Sequence, residues 1–163
     1  MSHSLFISVG SYHKGFDELI EAMDAVCATL TVPAFAQIGN SSIVPQHMRW
    51  ERFLPHDVMQ KALGEATIVI CQGGIGIIGD AMRAKKQIIA IPRIVPATAG
   101  KTANDQRAFV RGLVKQYNIA ACEDLTQLAK VVAQELAIPF APIEYPVTTN
   151  IPTLIAEFLR KLS

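Results

Sequence analysis

Short apolar runs alternate with longer segments of helical spacing along most of this chain, and that alternation limits its possible folds more than any other feature. SLFISV (4–9) is followed by FDELIEAMDAVCATL (16–30), in which Phe16, Leu19, Ile20, Met23, Val26, Cys27 and Leu30 recur at helical intervals. Strands are expected at 33–39, 49–54, 67–72, 87–92 and 118–123, and helices at 58–66, 77–86, 107–117 and 125–137. Pro139, Pro142 and Pro146 mark an extended crossing segment. IPTLIAEFLRKL (151–162) reads as an amphipathic closing helix with Ile151, Leu154, Ile155, Phe158, Leu159 and Leu162 on one face. Strands alternating with helices of this length build βαβ units, whose parallel sheet is covered on both faces. The expected fold is a single doubly wound, Rossmann-like α/β domain over residues 1–163, with no repeat or linker.

Composition agrees and removes several functions. With 163 residues there is about one domain's worth of chain. Half the residues are hydrophobic and 18% are charged, which argues against disorder. A formal net charge of +1 gives no reason to expect nucleic acid. Arg83, Lys85, Lys86, Arg93, Lys101 and Arg107 do make one segment locally basic. Cys27, Cys71 and Cys122 are far apart and apolar in context, so they read as buried thiols in a reducing compartment. The four histidines form no ligand pattern, and no metal is expected. The start lacks the pattern of a signal peptide, and no apolar run approaches the length of a membrane span. The expected location is cytoplasmic.

Function is carried by glycines. CQGGIGIIGDAM (71–82) places Gly73, Gly74 and Gly76 between a buried strand and a helix, and Gly10-Ser11 ends the first strand. Ligands of such sheets bind beyond the carboxyl ends of the strands. Free N–H groups and the positive dipole end of a helix suit phosphate, and glycine lets the backbone approach it. A tight strand–helix turn with no ligand is the plain alternative. Gly74-Ile75-Gly76-Ile77-Ile78-Gly79 fits the G-x-G-x-x-G fingerprint, but no acidic residue ends the following strand QIIAIPRI. Gly100-Lys101-Thr102 resembles the end of a P-loop, yet Val95 stands where its first glycine belongs. No G-x-S-x-G elbow is present. Trp50, His13, Met59, Met82 and Lys101 are expected to be ordinary packing or solvated residues.

The order ISVGS, FDELIEAM, QIGNS, FLPHDVMQKALGEATIVICQGGIGIIGDAM, IIAIPR and NDQRAFVRGL resembles the nucleotide-sugar-binding half of GT-B glycosyltransferases. It is similar to the family 28 carboxyl-terminal (MurG-like) domain. More closely, it resembles the short, free-standing Alg-type and bacterial polysaccharide-assembly members, which pair with a membrane subunit. The resemblance implies a UDP-sugar donor, no other cofactor and a membrane-anchored partner carrying the lipid acceptor. Gly10 and Ser11 would lie near the diphosphate and Gly73, Gly74 and Gly76 would cradle it, with Gln72 and Ile75 in the same turn. Asp80 would hold the ribose hydroxyls, Phe53 and Leu54 would border the uracil, and Asp105 and Gln106 would stand near the donor sugar.

Against the same pattern, Gln72 replaces a common His, Ile77 a common Ser or Thr, Asp105 a common His and Ala108 a common Glu. Lys86-Gln87 replaces the usual Lys-Pro. No catalytic base is identifiable. The expected function is the donor-binding subunit of a hexosyltransferase acting on a lipid-linked acceptor. The alternative is a non-catalytic nucleotide-binding or scaffold module of the same fold.

Overall fold

The computed structural model describes residues 4–95 and 105–146. The expected helix at 151–162 and most of the 96–106 loop lie outside them. The elements run β1 (Leu5–Ser8), α1 (Asp17–Cys27), β2 (Ala34–Gln37), β3 (Arg49–Glu51), α2 (His56–Glu65) and β4 (Ile68–Gln72). They continue as α3 (Ile75–Arg83), β5 (Gln87–Ile91), α4 (Arg107–Gln116), β6 (Ala120–Ala121) and α5 (Leu128–Leu136). All the strands pair in parallel, in the order β3-β2-β1-β4-β5-β6. The expected alternation is therefore observed, and residues 139–146 carry no helix or strand and run past the start of β5, where Ile143 N–H donates to Lys85 O and the Tyr145 hydroxyl to Lys86 O.

The strand sequences read as nearly continuous apolar runs because both sheet faces are covered. Successive side chains point to opposite faces. Leu5, Ile7, Ile68, Ile70, Ile89 and Ile91 pack on the face covered by α1 and α5. Phe6, Val69, Cys71, Ile88 and Ala90 pack on the face covered by α2, α3 and α4. Fully burying one such aliphatic side chain is worth about 1.5–3 kcal/mol relative to leaving it exposed. Only β3 breaks the pattern: its residues are all exposed because it is an edge strand, and Trp50 sits there half in solvent. Cys27, Cys71 and Cys122 are buried free thiols, as expected, and burial pushes the Cys71 thiol up to about 12.

Element ends matter most near the glycines. The helical spacing predicts α3 from residue 77, but it begins at Ile75, so Gly76 falls inside its first turn. Lys85 closes that helix with φ +58, a left-handed conformation more usual for glycine. The sheet order reverses between β1 and β4. That switch point leaves a crevice beyond the ends of these strands, where Ser8, Gly10, Gln72 and Gly74 lie.

Candidate functional site

Polar residues at the ends of β1 and β2 build one wall of the crevice. Ser8 Oγ donates to Gln37 Oε1 at 2.8 Å. Gln37 Nε2 donates in turn to the carbonyls of Arg52, at 2.9 Å, and Gly10, at 3.2 Å. Ser8 and Gln37 are buried, and this pairing offsets the cost of removing them from water. It fixes the turn at Gly10, whose φ of +70 suits a residue without a Cβ. Asn40 Nδ2 donates to Tyr12 O at 3.2 Å and holds the next part of that loop.

The opposite wall is the start of α3. Gly74 is its N-cap and no side chain caps it. The first-turn N–H groups of Ile75, Gly76 and Ile77 have no carbonyl one turn back to receive them, and the positive end of the helix dipole lies there. The glycines of this turn have separate reasons. A Cβ on Gly73 would meet Val110 Cγ2 at 2.6 Å and Gln106 Cβ at 3.0 Å, so Gly73 lets α4 pack close. A Cβ on Gly74 would meet Gln72 Nε2 at 3.1 Å. Gly76 faces open space, with nothing within 4 Å.

Between these walls lies a cleft of about 280 Å³ lined by Ser8, Gly10, Ser11, Gln37, Phe53, Leu54, Met59, Gly76, Ile77 and Asp80. It brings together six of the residues singled out in the sequence: Gly10, Ser11, Phe53, Leu54, Gly76 and Asp80. Phe53 is 52% exposed and Ile75, at the rim, 77% exposed, so both present apolar surface to solvent. Asp80 Oδ1 accepts from Arg83 Nη2 at 2.5 Å, within one turn of α3. Ser8, Gln37 and Met59 were not anticipated. The available signal was a polar residue at the end of an otherwise apolar strand, as in LFIS and AFAQ.

Asp105 and Gln106 stand apart from the lining, at the start of α4. Gln106 is buried, receiving the Arg93 N–H on Oε1 at 3.0 Å and donating its own N–H to Arg93 O at 2.9 Å. Asp105 is paired with Arg107 at 2.7 Å, and the guanidinium holds its carboxyl well below the usual range.

The locally basic sequence does not become a basic site. Arg83 is paired with Asp80, Lys85 with Glu144 and Arg107 with Asp105. Lys86 is buried, donating to Gly64 O at 2.7 Å with Phe140 beside it, and burial lowers its pKa. Lys85 and Lys86 also precede β5 and so lie at the opposite end of the sheet from the cleft. Lys101 lies outside the described residues. Arg93 is the exception, placed just past the end of β5 beside the glycine turns. Among the described residues no group of His, Cys, Asp or Glu is arranged to hold a metal ion, and no helix is long and apolar enough to cross a membrane.

Sheet order and helix placement are those of the Rossmann-like half of a GT-B fold. The glycosyltransferase family 28 C-terminal domain model matches residues 4–144, and the chain belongs to that family. Among solved structures it is similar to Acinetobacter baumannii MurG, with a TM-score of 0.61 and 18% identity over 99% of this chain and 50% of that one. It is similar to the glycotransferase of kitacinnamycin, with a TM-score of 0.64 and 18% identity over 85% of this chain and 36% of that one. It is also similar to CalG4, the calicheamicin glycosyltransferase, with a TM-score of 0.63 and 14% identity over 83% of this chain and 35% of that one. At these identities the likeness is one of fold, and the chain spans half or less of each structure. No curated protein sequence matches it.

Proposed function

We propose that this chain is the donor-binding half of a glycosyltransferase, moving a hexose such as N-acetylglucosamine from a UDP-sugar to a lipid-linked acceptor. The observation that carries this reading is the cleft at the switch point between β1 and β4, with an uncapped helix start on one wall and Asp80 in its lining. Family membership supports the reaction class. The diphosphate would lie against the first turn of α3, the ribose hydroxyls would donate to Asp80, and the base would rest on Phe53 and Leu54. When the sugar leaves, negative charge grows on the diphosphate. Preset N–H donors at α3 stabilise that charge without having to reorient.

The cleft is open to solvent, which suits a half-site closed by a second subunit that would supply the acceptor pocket and the base that deprotonates the acceptor hydroxyl. That partner would hold the chain at the inner face of a membrane.

Titration calorimetry of the purified chain with UDP, UMP, ADP and NAD tests the binding claim. UDP is expected to bind best, and a preference for NAD overturns the reading. Transfer from labelled UDP-sugars to membrane extracts, with the chain alone and with a co-expressed partner, tests the half-enzyme claim. Turnover by the chain alone overturns it. One observation favours a second reading, a non-catalytic nucleotide-binding or scaffold module. Asp105 is occupied by Arg107, and Ile77 offers hydrocarbon where the family commonly has a hydroxyl. UDP binding with no transfer in either mixture supports that reading.

A further inference from the structure

Arg93 sits beneath the glycine turns in an arrangement that the ribose and base contacts do not explain. It is 9% exposed, with its guanidinium carbon 4.5 Å from the ring centres of both Tyr12 and Phe16. Nη1 donates to Gly15 O at 2.6 Å and Nη2 to Gln72 Oε1 at 3.2 Å. Its Nε is buried with no acceptor. Through its backbone it exchanges hydrogen bonds with Gln106. One residue therefore joins the loop after β1, the turn after β4 and the start of α4.

The contact with Gln72 has a directional consequence. A guanidinium only donates, so it can face only the oxygen of a carboxamide, and the amino group must point the other way. Gln72 Nε2 is the atom nearest to a Cβ built on either Gly10 or Gly74, at 2.1 Å and 3.1 Å. It donates to no protein acceptor among the described residues. Arg93 forms no ion pair there either. Tyr12 and Phe16 stack on this cation and Glu18 attracts it from a distance, but among the described residues no carboxylate pairs with it directly, and a cation buried with so little compensation is costly. An anion bound in the gap between the glycine turns would offset part of that cost.

We propose that Arg93 is a positioning residue. It turns the Gln72 carboxamide so that its amino group donates to the diphosphate of the nucleotide between Gly10 and Gly74, and it supplies the charge behind that donor. This rests on the nucleotide-diphosphate reading of the cleft. It lets a neutral carboxamide serve an anion: the positive charge is set one residue further back and is independent of pH.

The test compares UDP with uridine, which differ in the diphosphate alone. Both are titrated calorimetrically into the parent and into Arg93→Met, Arg93→Lys and Gln72→Glu, with thermal melts alongside. Arg93→Met is expected to reduce the preference for UDP over uridine by about tenfold, the scale of one charge-assisted hydrogen bond, while uridine binds as before. Arg93→Lys should restore only part of that preference, because its single ammonium cannot both stack and fork. Gln72→Glu keeps the size and the Arg93 contact but replaces the donor with a negative acceptor. It should melt at or above the parent temperature and lose UDP selectively, and this variant decides the matter if Arg93→Met does not fold. The proposal fails if folded Arg93→Met keeps the parent's preference, or if Gln72→Glu binds UDP like the parent. A parent that prefers neither UDP nor another nucleoside diphosphate overturns the reading of the cleft itself, and this proposal with it.

Discussion

The carboxamide of Gln72 occupies the space that a side chain at Gly10 would need: a Cβ there would stand 2.1 Å from Gln72 Nε2. Gln72 ends β4 and Gly10 lies two residues past the end of the neighbouring β1, at the point where the sheet order reverses. The glycine at position 10 is thus explained within the protein by a neighbouring side chain and by its own φ of +70. The glycine at 76, with open space around it, is not.

Gly10→Ala is expected to destabilise the domain on two counts. The left-handed backbone alone costs about 1–2 kcal/mol for a residue with a Cβ, and displacement of Gln72 adds to it. Urea denaturation of Gly10→Ala and of Gly10→Ala with Gln72→Ala separates these. The double substitution should recover the collision and leave the backbone strain. Equal stability of Gly10→Ala and the parent contradicts the geometry.

Gly76→Ala should act in the opposite sense on folding and binding. No protein atom lies within 4 Å of the new methyl group, and removing a helical glycine gains up to about 1 kcal/mol. The methyl group also enters the space proposed for the diphosphate, so UDP affinity should fall, and Gly76→Val should abolish it. A melting temperature that rises while binding weakens is the expected signature. A variant that binds UDP undiminished shows that the gap is not used.

Asp80→Asn should leave the fold intact, since Asp80 lies on the cleft surface and, among the described residues, pairs with Arg83 alone of the charged groups. UDP binding is expected to weaken by about 1–2 kcal/mol, the scale of a hydrogen bond to a charged acceptor. Calorimetry against UDP and 2′-deoxy-UDP measures it, and the variant should discriminate less between the two. Unchanged affinity returns Asp80 to a simple first-turn role in α3.

Acid should destabilise the protein modestly through a small set of paired, exposed carboxylates. Asp17 is held below its ordinary value of 3.8 chiefly by the Ser42 hydroxyl, and Asp124 by that of Thr126. Arg107 lowers Asp105, and Arg111 lowers Glu123 from 4.5. Each folded-state pKa is depressed, so the stabilisation is present above the unfolded values and is lost as pH falls through the folded ones. Melting temperature should therefore stay level from neutrality to about pH 5 and drop below about pH 4. Asp17→Asn should flatten that drop, and a steeper fall on the alkaline side would contradict the assignment.

The sequence by itself determined the layered α/β architecture, because the periods of its apolar residues are local properties. Ile68–Cys71 and Gln87–Ile91 announce strands buried on both faces, and Leu19, Ile20, Met23 and Val26 announce a helix with one buried stripe. The glycine turns at Gly10 and Gly76 were legible in it too, whereas Ser11, Phe53, Leu54 and Asp80 were named through the family resemblance; the six stand up to 70 positions apart and line one cleft. Only the tertiary structure decided what each glycine is for, since Gly10, Gly73 and Gly74 yield to Gln72, Val110 and Gln106, residues chosen by the strand order rather than by sequence distance. It likewise dispersed a basic segment that looked like one patch, pairing Arg83, Lys85 and Arg107 and burying Lys86 far from the cleft. Among its described residues Arg93 alone was drawn beneath the glycine turns, because a parallel sheet ends β5 beside β4 and brings Tyr12, Phe16 and Gln72 around its guanidinium.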